Sequence, residues 1–158
     1  MALFDVHEQS ILDLQAAQTS GRVTSRGLVD AYLARIQAYD RAGPRLNAIV
    51  TINPRAREEA DALDRERADK KLRGPLHGIP VLIKDNYDTA DMPTSGGSLA
   101  LATLQPAADA FQVSKLRDAG AVILPASFRR RSTPSRRRAP RSSASWCRAP
   151  RISCATAA

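Results

Sequence analysis

The chain changes character at Phe128, and that break limits what it can fold into. Residues 1–128 carry 15 Lys+Arg and all 16 Asp+Glu, a net of −1. Residues 129–158 carry nine Arg with no acid and no glycine, and this +9 turns the whole chain to +8. Only the first part has the balanced charge and apolar periodicity from which a core can be built. In the second part Arg, Ala, Pro and Ser dominate, with arginine triplets at 129–131 and 136–138. Like charges interrupted by prolines do not offset the entropy of ordering, so this segment is expected to be a disordered tail. The same four residue types are what GC-rich DNA yields out of frame, and a frameshift after residue 128 would explain the break. The expected organisation is one incomplete domain over 1–128 followed by the tail 129–158.

Both cysteines, Cys147 and Cys154, and the single tryptophan, Trp146, fall in the tail. They match no C-x-x-C pattern, and His7 and His77 lie far apart, so neither a zinc site nor a disulfide framework is indicated. The N-terminus has no basic n-region with an apolar core behind it. No apolar run reaches the ~20 residues of a membrane span. A cytoplasmic soluble protein is the expectation.

Hydrophobic spacing within 1–128 predicts four helices and three strands. Ser10 with Asp13 forms a capping box ahead of Ile11, Leu14 and Ala17, and Gly21 stops that helix. Thr24 or Ser25 opens a second helix with Leu28, Tyr32, Ile36 and Tyr39 on one face. Residues 47–52 form a β-branched run that reads as a strand. Asn53-Pro54 begins a third helix, thin on its inward face (Ala56, Ala60, Leu63). It has i,i+4 pairs available at Arg57–Asp61, Asp61–Arg65 and Glu66–Lys70, each adding about 0.2–0.5 kcal/mol. Residues 79–83 and 121–124 are short apolar strands, and Asp109 with Gln112 would cap a fourth helix between them. Helices alternating with unbroken apolar strands give an α/β protein with partly parallel pairing.

The residues that could carry chemistry cluster in the middle of the chain. Residues 74–86 read Gly-Pro-Leu-His-Gly-Ile-Pro-Val-Leu-Ile-Lys-Asp-Asn, a turn and a short apolar strand delivering an amine, Lys84. A lysine with an apolar surround loses pKa and can act as a base near neutrality. The plainer reading is a strand-end lysine whose ammonium reaches water. Thr94, Ser95, Gly96, Gly97 and Ser98 form a Gly-Gly loop flanked by hydroxyls, suited to approach a ligand or another backbone, or an ordinary turn. No serine there stands in a G-x-S-x-G elbow. Asp85, Asp88 and Asp91 fail the EF-hand pattern and read as solvated loop carboxylates. His77, in a turn, reads as an exposed polar residue.

Taken together, residues 74–86, the 93–99 loop and the 109–124 helix–strand resemble the amidase signature family, whose members hydrolyse amide C–N bonds with a Ser–Ser–Lys triad. The resemblance runs over roughly residues 4–124 and looks closest to bacterial members with broad or peptide-amide substrates. It implies the N-terminal part of a mixed sheet flanked by helices, a small-molecule or peptide amide substrate, and no metal or organic cofactor. It also implies that Lys84 is the catalytic lysine, with the Thr94–Ser98 loop as a wall beside it. In the family that lysine bonds a serine held through a cis peptide, which relays a proton from the nucleophilic serine. Backbone N–H groups of a Gly/Ser stretch form the oxyanion hole. Ser142, Ser143 and Ser145 have no glycine beside them, so these roles are not carried onto them. The resemblance therefore implies a chain stopping short of the catalytic serines and inactive alone.

A second reading is a small basic nucleic-acid-binding protein. Nine unpaired arginines bind polyanions through counterion release, nonspecifically and with steep salt dependence. No aromatic interleaving and no recognisable module accompany them. A third reading is a product that never folds stably.

Overall fold

A computed structural model describes residues 4–125. The arginine-rich tail, with its expected disorder, its serines and its cysteines, lies outside the described residues. The first helix, α1 (Ile11–Thr19), begins as its sequence dictates. The Ser10 hydroxyl oxygen accepts from the Asp13 N–H, and the Asp13 carboxylate accepts from the Ser10 N–H. These reciprocal bonds satisfy two donors that a helix start leaves open. Helix α2 (Ser25–Arg35) is capped by Thr24, which accepts from Gly27 N–H at 3.0 Å. It runs without a break into a π-helical segment, Ile36–Arg41, closed by Ala42 N–H donating to the Gln37 carbonyl at 2.9 Å.

Helix α3 (Ala56–Ala68) buries Ala56, Ala60 and Leu63, the thin face expected of it. Its charges are used differently from the i,i+4 expectation. Arg57 pairs with Asp30 and Asp61 with Arg26, both on α2, while Glu66 pairs with Arg73. Opposite charges facing each other across two packed helices satisfy these side chains better than neighbours on one exposed face. Helix α4 (Phe111–Asp118) has Ala110 at its N-cap and no side-chain cap. Asp109 instead accepts from Ala90 N–H at 2.8 Å and pairs with Arg117 at 2.9 Å.

Two strands, β1 (Pro80–Ile83) and β2 (Val122–Pro125), pair in parallel with Pro80 opposite Val122. The expected strand at 47–52 is absent. Those residues join no ladder among the described residues, and Asn47 has a φ of +49°, outside the extended region. The alternation of β2 divides the core. Val122 and Leu124 pack against Val29, Ala56, Ala60 and Leu63 from α2 and α3. Ala121 and Ile123 pack with Ile83, Met92 and Val113 on the α4 side. A third cluster joins Leu14, Ala17, Leu28 and Ile79 under α1. The result is a helix–sheet–helix sandwich around a short sheet, an α/β arrangement. No helix among the described residues is long and apolar enough to cross a membrane.

The turn leading into β1 departs from the sequence expectation. His77 is buried, not exposed. Its Nδ1 accepts from Arg73 N–H at 3.2 Å, and its Nε2 lies 3.0 Å from the Leu63 carbonyl oxygen. With Nδ1 an acceptor, Nε2 carries the proton and donates to that carbonyl. Arg67 bonds the His77 carbonyl at 3.0 Å and Gln18 at 2.6 Å, and Gln18 donates to the Gly78 carbonyl at 3.2 Å. Burial pulls the Arg67 guanidinium below its ordinary pKa, with Asp64 partly opposing. Apart from Arg67 Nε, which is buried without a hydrogen-bond partner, the polar groups of this dry corner bond one another and fix the turn from beneath.

Candidate active site

Lys84 follows directly on β1. The strand places Ile83 inward against Met92 and Val113, while Leu82 remains 51% exposed. Lys84 is exposed as well. Among the described residues this is the plainer of the two sequence readings, a strand-end lysine open to water, and the water-poor surround of the other is not supplied. The physical reason is that helices cover the Ile83 side of β1, and at Leu82 and Lys84 no described element takes the opposite side.

A small cleft of about 20 Å³ lies beside the lysine, lined by Thr51, Ile83, Lys84, Asp85, Tyr87, Thr89 and Pro93. The residue after the lysine organises its rim. Asp85 accepts from the Ser95 N–H at 2.8 Å, from the Ser95 hydroxyl, and from Gly97 N–H at 3.2 Å. Its carbonyl accepts from Gly96 N–H at 3.0 Å. Asp85 thus holds the 93–98 loop against the lysine segment through side chain and backbone together. Gly96 and Gly97 have φ of +56° and +79°, values that L side chains avoid. A Cβ at either would meet nothing within 4 Å. The pair therefore answers to backbone conformation, and no close approach to another group is present among the described residues. Thr94 is buried, its N–H donating to the Leu104 carbonyl at 2.9 Å and its hydroxyl to the Tyr87 carbonyl at 3.3 Å. Of this stretch Pro93 lines the cleft, and Thr94 to Ser98 are not among its lining residues.

Asp91 is not the solvated carboxylate expected from the loop. Its side chain is 9% exposed and meets Arg117 at 2.8 Å and Arg55 at 3.5 Å. Arg117 also reaches Asp109 at 2.9 Å and Glu59 at 3.5 Å. Burial opposes the charge on Arg117, yet Asp91, Glu59 and Asp109 together hold the guanidinium above its ordinary pKa. This one cation ties α3, α4 and the loop after Lys84 into a unit. Asp88 is exposed, as expected. Among the described residues no group of His, Cys, Asp or Glu is placed to hold a metal ion.

Sequence reasoning missed Thr51 and Arg117, and read as a solvated loop carboxylate the Asp85 that here holds the 93–98 loop. Asp85 and its partners lie ten and twelve residues apart, a spacing that carries no periodic signal. Arg117 looks like an ordinary exposed position of α4 until Asp91 and Glu59 are brought to it.

Residues 27–126 match the Amidase family. A Schizosaccharomyces pombe protein named as an amidase is 42% identical over 119 residues, covering 75% of this chain and 20% of its own length. The native peptide amidase of Stenotrophomonas maltophilia superposes with a TM-score of 0.74 at 55% identity, covering 76% of this chain and 24% of that one. A peptide amidase in complex with the competitive inhibitor chymostatin gives 0.75 at 54% identity, over 78% of this chain and 25% of that one. The chain spans about a fifth to a quarter of the length of these relatives.

Proposed function

Because this chain belongs to the amidase family, we propose that Lys84 is the proton-accepting lysine of a hydrolase acting on peptide carboxamides, and that these 158 residues alone lack its nucleophile. In this reading a serine hydroxyl attacks the amide carbonyl while its proton passes through a second serine to Lys84 Nζ. The proton returns to the leaving nitrogen as the C–N bond breaks, and water then releases the acid from the acyl-enzyme. Donors aimed at the developing oxyanion complete the step, and neither metal nor organic cofactor is required. The observation that carries the reading is the setting of Lys84. It ends an apolar strand beside a cleft whose rim Asp85 holds in place, within a segment 55% identical to a peptide amidase. The peptide amidases among the similar solved structures support a peptide amide as the substrate class.

The serines and oxyanion donors are not supplied by residues 4–125, and residues 126–158 contain no glycine from which such a stretch could be built. Purified as it stands, the chain should release ammonia from a peptide amide no faster than buffer. The role of the lysine is tested in a chimera, with residues 4–125 replacing the matched quarter of the Stenotrophomonas peptide amidase. That chimera should hydrolyse a C-terminal peptide amide, and Lys84→Ala should lower kcat by roughly 10⁴–10⁶. A folded chimera without activity, or one whose activity survives Lys84→Ala, would refute the assignment.

A further inference from the structure

Lys84 is exposed, so among the described residues its place is set through the backbone that carries it. That backbone is held on both sides. Before Lys84, β1 ends at Ile83, opposite Pro125 of β2. After it, the Lys84 carbonyl accepts from Tyr87 N–H at 3.0 Å and closes a turn over residues 84–87. This turn is bonded in its own right to the 93–98 loop. The Asp85 carbonyl accepts from Gly96 N–H at 3.0 Å, and the Tyr87 carbonyl from the Thr94 hydroxyl at 3.3 Å. The Asp85 carboxylate takes the Ser95 N–H at 2.8 Å, the Ser95 hydroxyl, and the Gly97 N–H at 3.2 Å. Gly97 N–H also donates to Ser95 Oγ at 3.1 Å, so Asp85, Ser95 and Gly97 close a ring of bonds. The loop is tied in turn to the chain beyond it by Thr94 N–H, which donates to the Leu104 carbonyl at 2.9 Å.

The carboxylate is the controlling member of this set for two reasons. Hydrogen bonds to an ionised acceptor are roughly twice as strong as those between neutral groups. A loop whose Gly96 and Gly97 stand in open space also has no side-chain packing there to keep it in place. We propose that Asp85 is a positioning residue for Lys84: by staking the 84–87 turn to the loop, it fixes the Cα from which the lysine amine meets its proton. The proposal rests on the amidase reading of Lys84, and its test separates the two. Ser95 and Gly97 are not among the residues lining the cleft, so loss of their bonds displaces the lysine and leaves the cleft wall they do not form. A catalytic group misplaced by about 1 Å loses on the order of 10²-fold in rate.

In the chimera of residues 4–125 with the Stenotrophomonas peptide amidase, Asp85→Ala should lower kcat about hundredfold and leave KM within about threefold. Asp85→Asn, which keeps one oxygen for the Ser95 N–H, should recover part of that loss. Ser95→Ala should cost about tenfold, and adding it to Asp85→Ala should slow the enzyme no further, because the two side chains act as one unit. In the full 158-residue chain, Asp85→Ala should speed amide exchange at residues 95–97 about tenfold or more beyond any change at Val122. A native chimera without turnover that depends on Lys84 refutes the amidase reading, and the positioning role falls with it. Where that turnover is present, the positioning role alone is overturned if Asp85→Ala keeps kcat within about threefold of native, or if the loss lies in KM. It is overturned as well if Asp85→Asn is no faster than Asp85→Ala, if the Asp85 and Ser95 effects multiply, or if exchange accelerates equally in the loop and at Val122. Should Asp85→Ala fail to fold, Ser95→Ala and Asp85→Asn carry the same kcat and exchange readouts.

Discussion

Replacing Arg117 should be the most damaging change to the frame around Lys84. Its guanidinium pairs with Asp91 at 2.8 Å, Asp109 at 2.9 Å and Glu59 at 3.5 Å, and its side chain is 25% exposed. Asp91 is 9% exposed, and its Oδ1 is buried without a hydrogen bond. Arg117→Ala would leave that carboxylate facing only Arg55, 3.5 Å away and itself 60% exposed. Removing one partner of a buried pair costs about 3–5 kcal/mol, chiefly because the other charge stays buried. The partial exposure of Arg117 places this case near the lower end, about 3 kcal/mol. With a urea m-value of about 1.5 kcal/mol/M for a domain of this size, the unfolding midpoint should fall by about 2 M. Adding Asp91→Asn removes the orphaned charge, so the double variant should be more stable than Arg117→Ala by roughly 1–2 kcal/mol. Urea unfolding followed by far-ultraviolet circular dichroism decides this. A midpoint shift below about 0.3 M for Arg117→Ala, or a double variant as unstable as the sum of the single ones, would refute the buried-charge argument.

Two other expectations follow from the same geometry. Gly120 has φ +88°, and a Cβ there would stand 2.7 Å from the His77 Cα, so Gly120→Ala should cost about 2–4 kcal/mol. Gly96→Ala, at φ +56° in open space, should cost only about 1–2 kcal/mol, and equal costs in the two unfolding curves would contradict the close-approach argument. The hydrogen bond from Arg73 holds the Glu66 carboxyl below its ordinary 4.5, so its folded pKa lies under the unfolded one. Its contribution is therefore complete above about pH 4.5 and lost as pH falls through the folded value. Both side chains are partly exposed, which limits the effect to less than about 1 kcal/mol. Stability measured between pH 6 and 3 should fall more steeply for the native chain than for Glu66→Gln, and parallel curves would exclude the linkage.

How much of the fold could be read from the sequence depended on whether the signal was local. The capping box at Ser10, the Thr24 cap and the inward face of α3 are set by residues no more than four positions from the next, and each formed as expected. The two paired strands were visible as apolar runs because both faces of β2 are buried. What failed was non-local. Residues 47–52 have β-branched character, but a strand needs a neighbour. In the π-helical turn after Arg35, the Asp40 carboxylate reaches forward to accept from the N–H groups of Ala48 and Ile49. The charges of α3 found partners on α2, and Asp109 gave up its capping position for Arg117.

His77 and Lys84 stand seven residues apart in one motif; His77 is buried where an exposed polar residue was expected, and Lys84 is exposed, as the plainer reading of a strand-end lysine had it. His77 is buried because α1, α3 and the turn before β2 meet over it, and its two nitrogens find a donor in Arg73 and an acceptor in Leu63. No sequence pattern announces such a corner, since its members come from positions 18, 63, 67 and 73. Lys84 is exposed because the strand it follows is covered on one side only. Burial belongs to the surfaces that meet a residue and not to the residue itself, so an apolar run predicts a covered lysine only when both of its faces have partners. Leu82, half exposed two positions earlier, reports the same missing cover independently of any catalytic assignment. Whatever closes over Leu82 must also change the water around Lys84.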